Sequence, residues 1–361
     1  MRFVDEFRDR KLAQSLSRKI RQAMDGRAPL SLMEVCGTHT MAIFRFGLKD
    51  LLPDNLRLIS GPGCPVCVTP TAFIDKAIAL ARMDTVTIAT FGDMMRVPGS
   101  ESSLEKEKMN GRSIRAVYST MDALDIARRD TQREVVFLGV GFETTVPTVA
   151  VALMDAKKRK IPNFSVLCGH KTMPEVLAVL AKDKDTRVDG FILPAHVSAI
   201  IGSRPYESLA RRFGKHCIIA GFEPIDILQG ILILLDQSRP AIDVQYERVV
   251  RRLGNRSAQK VIRHVFKKAD SSWRGIGVIP GSGLAIRDRY AGFDAEERFP
   301  ITIRDVKEKK GCICGDVLKG KKTPLDCRLF RKACKPEHPV GPCMVSSEGA
   351  CSAYYKYGNS V

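Results

Sequence analysis

Two thiols three residues apart stand in the run Gly61-Pro-Gly-Cys64-Pro-Val-Cys67-Val-Thr-Pro70. A pair at that spacing can close a disulfide or share a metal ion, so the run reads as a redox dithiol or as half of a zinc site. Inert packing of two small side chains is the plainer alternative. Gly61 and Gly63 permit tight backbone while Pro62, Pro65 and Pro70 fix φ, which predicts a rigid, partly exposed turn. A third thiol precedes them in Cys36-Gly-Thr-His39-Thr40. The pattern predicts a strand over Leu30 to Val35 and a helix over Met41 to Leu52, stopped by Pro53, with Thr38 or Thr40 as its cap. Free N–H groups at a helix start favour a thiolate, so Cys36 is a candidate metal ligand or nucleophile with His39 beside it. The bland reading makes both ordinary buried turn residues.

Six more cysteines, Cys312, Cys314, Cys327, Cys334, Cys343 and Cys351, crowd the end of the chain among prolines and glycines. The apolar residues there are too few for a large core, and such segments need a metal or cross-links to hold their shape. Thiols without matching histidines favour an iron–sulfur cluster, with zinc as the alternative. Six exceed the four that a cubane requires, and the surplus suggests a second dithiol that would convert one-electron chemistry at iron into two-electron chemistry at sulfur. In Cys312-Ile-Cys314, thiols two residues apart point to opposite faces if the segment is extended, which predicts that only one of them faces the cluster. Spacing leaves open which two are spare.

The remaining sequence sets the frame for these groups. No secretory leader or continuous apolar span occurs, which predicts a soluble, cytoplasmic protein, where eleven cysteines are better explained by metal or redox work than by structural disulfides. The net charge is +18, and basic residues are dense in a predicted helical stretch from Tyr246 to Lys268. With no nucleic-acid module and a single Trp, that stretch reads as a solvated face or a dock for an acidic protein, not as a nucleic-acid surface. Apolar strands at Leu56 to Ser60, Val86 to Thr90, Ile114 to Tyr118, Glu134 to Val140, Phe164 to Leu167, Val188 to Leu193 and Cys217 to Ala220 alternate with helices. That pattern predicts an α/β fold with two parallel-sheet domains plus a small cysteine-rich iron–sulfur region. The expected boundaries are an N-terminal helix over 1–28, α/β domains over 29–131 and 132–240, and a helical, cysteine-rich part over 241–361.

Ligands in such folds bind at the carboxyl ends of strands. There the sequence has Gly139-Val-Gly141-Phe-Glu143-Thr144-Thr145, Pro194-Ala-His196-Val-Ser198 and Gly221-Phe-Glu-Pro224. Gly139-x-Gly141 lacks the third glycine and the acidic partner of a dinucleotide fingerprint, and no phosphate-binding loop occurs. Glu143, Thr144, Thr145, His196 and Ser198 are therefore candidates for a polar patch facing the cysteines or a partner, or else for helix caps and backbone anchors. Cys168 and Cys217 lie in or beside apolar strands and are assigned no role.

Taken together, Cys36-Gly-Thr-His39-Thr, Gly61-Pro-Gly-Cys64-Pro-Val-Cys67, Gly141-Phe-Glu-Thr-Thr-Val-Pro147, Pro194-Ala-His-Val-Ser198 and the set from Cys312 to Cys351 resemble the HypD family of hydrogenase maturation proteins. The resemblance implies a scaffold that, with the small partner HypC, assembles the Fe(CN)2CO group of nickel–iron hydrogenases. Cyanide would arrive as a thiocyanate on HypE, charged by HypF from carbamoyl phosphate. It implies Cys36 as a ligand of that iron, a [4Fe-4S] cluster on Cys312, Cys327, Cys334 and Cys351, and Cys314 with Cys343 as the dithiol beside it. Cys64 and Cys67 would supply the two electrons that free cyanide from a thiocyanate. Two rival readings are a ferredoxin-fed thiol–disulfide reductase, which gives Cys36 and His39 no task, and a zinc-stabilised interaction protein.

Overall fold

The computed structural model describes residues 5–303, 306 and 308–358. Nine short strands build two separate parallel sheets. They are β1 (Leu30–Glu34), β2 (Leu56–Ser60), β3 (Val86–Thr90), β4 (Ile114–Ala116), β5 (Glu134–Gly139), β6 (Phe164–Cys168), β7 (Gly190–Pro194), β8 (His216–Ala220) and β9 (Ile242–Val244). The first sheet runs β2-β1-β7-β8-β9 and the second β4-β3-β5-β6. Every pairing in both is parallel.

Burial on both faces explains why these strands read as continuous apolar runs. In β1 and β7, Leu32 and Ile192 pack beneath the helices Arg10–Met24 and Pro224–Leu235, with Ile20, Met24, Leu228 and Ile231. Met33, Phe191 and Leu193, pointing the other way, join Ile88, Val136 and Leu138 of the second sheet in one core. The opposite face of the second sheet, with Ala89, Val135 and Phe137, is closed by Leu124, Val149 and Leu153.

The α/β class with parallel sheets stands, but the strands regroup across the expected blocks 29–131 and 132–240. β1 pairs with β7, aligning Leu32 with Gly190, so the first two strands belong with strands some 160 residues later, and β3 to β6 form a sheet inserted between them. Apolar periodicity marks a strand without naming its neighbour. After β9 the chain is also less helical than expected. The basic stretch holds the helix Arg256–Val265 and then enters an antiparallel hairpin of β10 (Phe266–Trp273) and β11 (Gly277–Ile286). Lys267 and Lys268 lie on β10, paired with Asp288 and Glu175. Among the described residues no helix is long and apolar enough to cross a membrane.

Candidate functional site

β1 delivers Cys36 to the start of the helix Gly37–Arg45, where Cys36 itself, at φ −146° and ψ 123°, is the N-cap residue in place of Thr38 or Thr40. Cys36 is buried, 7% exposed. Burial, with the Glu348 carboxyl adding to it, pushes its thiol up to about 12, against the opposing amides of Thr38 and His39. The free side chain is thus a protonated thiol, and a soft metal ion would have to displace its proton. Glu34, two residues earlier, is buried, accepts from the Thr40 hydroxyl at 2.6 Å and is raised to about 8 by desolvation.

His39 lies one turn along the same helix and is fully buried. Its Nε2 stands 3.1 Å from the Ala220 carbonyl and 2.9 Å from that of Gly221, so this nitrogen carries the hydrogen. Nδ1 has no partner among the described residues, and burial lowers the ring to about 4, leaving it neutral. Phe222 stacks between His39, at 4.9 Å, and the exposed His196, at 4.0 Å, which links the ends of β1, β7 and β8.

The turn after β2 is pressed against the turn after β1. A Cβ on Gly63 would stand 2.3 Å from the Cys36 nitrogen, and the Gly37 amide donates to the Gly63 carbonyl at 3.1 Å. Only glycine permits that approach. Cys64 then caps the short helix Pro65–Val68, its Sγ accepting from the Cys67 amide at 3.4 Å. The turn is not partly exposed as expected, since Cys64 is 3% and Cys67 0% accessible. The C-terminal segment covers them: Cys67 Sγ lies 4.0 Å from the Pro342 carbonyl, and its thiol, pushed well up by burial, also meets Cys343.

The six C-terminal cysteines converge. Cys314 and Cys343 are both buried, with their sulfurs 3.0 Å apart. Cys312, Cys314, Cys327, Cys334, Cys343 and Cys351 all line one apolar cavity with Leu329, Phe330 and Met344. The expectation that Cys312 and Cys314 point to opposite faces fails. Ile313 is not extended (φ −102°, ψ 21°), and Cys314 opens the helix Cys314–Leu318, which brings the two thiols within hydrogen-bond reach of each other. Burial, then the neighbouring thiols of Cys334, Cys312 and Cys327, push Cys351 far up.

The donor set fits an iron–sulfur cluster. A cubane takes one thiolate at each of four irons, and the six thiols lining this cavity, with no histidine among them, are donors of that kind. The Val340 amide donates to Cys334 Sγ at 3.4 Å, and a Cβ on Gly341 would stand 2.6 Å from Cys312 Sγ, so backbone closes around these sulfurs.

The strand ends of the second sheet approach the Cys64 turn. A cavity of about 450 Å³ is lined by Cys64 from one sheet, by Phe91, Asp93, Tyr118 and Thr145 from the other, and by Glu348. Of the expected polar patch, Thr145 reaches this cavity. Glu143 is buried, accepting from the Met173 amide at 3.0 Å. Ser198 is buried and donates to the Pro194 carbonyl at 2.7 Å. Thr144 is partly exposed, and His196 lies apart in the ring stack. The patch is thus dispersed, because Glu143 and Ser198 serve the backbone where their strands end.

Sequence reasoning passed over Glu348, which accepts from the Thr38 hydroxyl at 2.8 Å and faces Cys36, and Phe222. The signal for Glu348 was its place in Ser346-Ser-Glu348-Gly-Ala-Cys351; Phe222 gave none beyond following a strand.

A family model described as "HypD: Hydrogenase formation hypA family" matches residues 11–358. The chain is 48% identical to the hydrogenase maturation factor HypD of Cupriavidus necator, over 99% of this chain and 97% of that protein. It is 47% identical to that of Rhodobacter capsulatus, over 100% and 99%, and 45% identical to that of Escherichia coli K12, over 99% and 98%.

Proposed function

The chain belongs to the HypD family of hydrogenase maturation factors, and from that premise we propose that it is the scaffold on which, together with HypC, the Fe(CN)2CO group of a nickel–iron hydrogenase is assembled, with HypE supplying cyanide as a thiocyanate. The observation that carries this reading is the line of buried thiols from Cys64 and Cys67 through Cys343 and Cys314 to the half-buried Cys312, which starts one backbone contact from Cys36.

The iron of the product is the cargo. Low-spin iron carrying cyanide and carbon monoxide is soft, and the Cys36 thiolate is a matching ligand, with a second from the partner. Glu34 is itself held protonated near neutrality by burial, so of the two nearby carboxyls it is Glu348 that opposes loss of the Cys36 proton. Neutral His39, with its Nε2 hydrogen fixed on two carbonyls, keeps the helix start seated on β8 and presents an unprotonated Nδ1.

Cyanide release balances on the thiols: a thiocyanate R–S–CN and two cysteine thiols give R–SH, HCN and one disulfide. Cys64 and Cys67 are the pair at the cavity that Cys64 lines, so they are the two oxidised. Thiol–disulfide exchange through the adjoining Cys343 then passes the disulfide to Cys314 and Cys343. A [4Fe-4S] cluster held by Cys312, Cys327, Cys334 and Cys351 would supply single electrons there. Burial of Cys67, Cys314 and Cys343 excludes water and outside oxidants from this path.

The test is anaerobic coexpression with HypC, HypE and HypF followed by infrared spectroscopy of the purified complex. Bands of iron-bound cyanide and carbonyl on the chain carry the proposal; a brown protein that reduces disulfides without such bands would make it a thiol–disulfide reductase.

A further inference from the structure

Arg274 follows β10 and is buried, 6% exposed, where few unpaired cations occur. Its amide donates to the Val68 carbonyl at 2.9 Å and its Nε to the Thr69 carbonyl at 2.8 Å, which ties it to the helix carrying Cys67. Nη1 reaches Glu308 at 3.1 Å, but that carboxylate is 60% exposed and shares its charge with solvent. Nη2 is buried and has no partner among the described residues. A guanidinium does not neutralise itself by losing a proton, so a buried one with a half-compensated charge lacks an anion. The residue cannot drift away. Gly275 is packed on Gly315, where an added Cβ would stand 2.2 Å from the Gly315 Cα, so the hairpin turn is locked on the helix that Cys314 opens. Arg274 lines a cavity of about 270 Å³ together with Cys312 and Cys314.

We infer that Arg274 is a positioning residue whose missing anion is the thiolate-bound cluster at Cys312, and that its fixed charge makes that cluster a better electron acceptor. The inference rests on the cluster reading above and deepens it. A cluster with four thiolates carries net negative charge that grows when an electron is added, and a buried cation beside one ligand stabilises the reduced form more than the oxidised one.

The experiment uses the full chain purified without oxygen. Iron and sulfide content and visible absorbance are measured first, then the midpoint potential by titration followed with electron paramagnetic resonance. Arg274→Gln should keep its iron and sulfide but accept an electron at least tenfold less favourably, a shift of about 59 mV to more negative potential. Arg274→Lys, which keeps the charge, should stay near the parent value. Glu308→Gln leaves the guanidinium uncompensated from an exposed position and should shift the potential the other way. This variant carries the test should Arg274→Gln not hold its cluster. A parent chain without iron or sulfide overturns the cluster reading and this inference together. An intact cluster whose potential ignores the Gln variants overturns the inference alone, leaving Arg274 as a tie to Val68 and Thr69.

Discussion

Cys314 Sγ and Cys343 Sγ lie 3.0 Å apart in a buried contact that joins the start of a helix to a turn 29 residues later. A disulfide needs about 2.05 Å, so a shift of roughly 1 Å would close the bond. Cys314→Ser or Cys343→Ser should therefore keep the iron content and absorbance of the parent while hydrogenase maturation stops. Mass spectrometry of air-oxidised protein should find a Cys314–Cys343 disulfide. Loss of iron in either variant, with iron retained in Cys312→Ser, would reverse the division of the six cysteines.

Cys36→Ala should abolish iron–cyanide bands in the complex and leave the iron and sulfide of the C-terminal part unchanged. Cys36 is not among the residues lining the C-terminal cysteine cavity, and the bond from Thr38 to Glu348 involves neither the Cys36 side chain nor any of those cysteines. Normal bands in this variant would remove Cys36 from the iron.

Cys67→Ser should still bind HypC and HypE in pull-down at parental strength yet accumulate HypE thiocyanate. Cys67 is fully buried, so it offers nothing to a docking partner, and its contacts run inward to Cys64 and Cys343. Weakened binding would place it in the interface instead.

The cysteines of the candidate site were legible because their types and spacing are unusual, and the parallel α/β class because continuous apolar strands need cover on both faces. Pairing was not. Nothing local to Leu32 says that its neighbour is Gly190, since the pairing is decided by which sheet face each strand can bury. Nor does an exposed-looking Gly-Pro turn announce that Cys64 and Cys67 are roofed by Pro342, a contact across 275 residues. Arg274 and Glu348 read as surface charges until the C-terminal segment folds over the strand ends and buries one wholly and the other in part.

That fold-over is testable at Gly37. A Cβ there would stand 2.4 Å from the Glu348 Cβ and 2.6 Å from its carbonyl oxygen, closer than side chains pack. Gly37→Ala should lift the 345–349 segment from Cys36 at a cost of about 1–3 kcal/mol. Limited proteolysis should then cut within 345–358 faster than in the parent, with Gly92→Ala, where nothing lies within 4 Å, as the silent control. Equal cutting of all three proteins would mean that the segment is not held by this contact.

Glu143 sets a pH dependence whose sign is fixed by burial. Desolvation raises its carboxyl from 4.5 to about 8, with its own amide and that of Met173 pulling the other way. Between those values the folded chain keeps a proton that the unfolded chain has released. Stability from this group is therefore fully present below about 4.5 and falls as pH rises through about 8. Glu143→Gln retains an oxygen for the Met173 amide without a charge to bury. The variant should melt near the parent at pH 5 and above it at pH 8.5, where each kcal/mol gained is worth about 2–4 °C in a chain of more than 150 residues. Thermal melts at both values decide it: a parent–variant difference that stays constant, or that favours the parent at pH 8.5, would mean that Glu143 is ionised in the folded protein and compensated by a charge it meets only there.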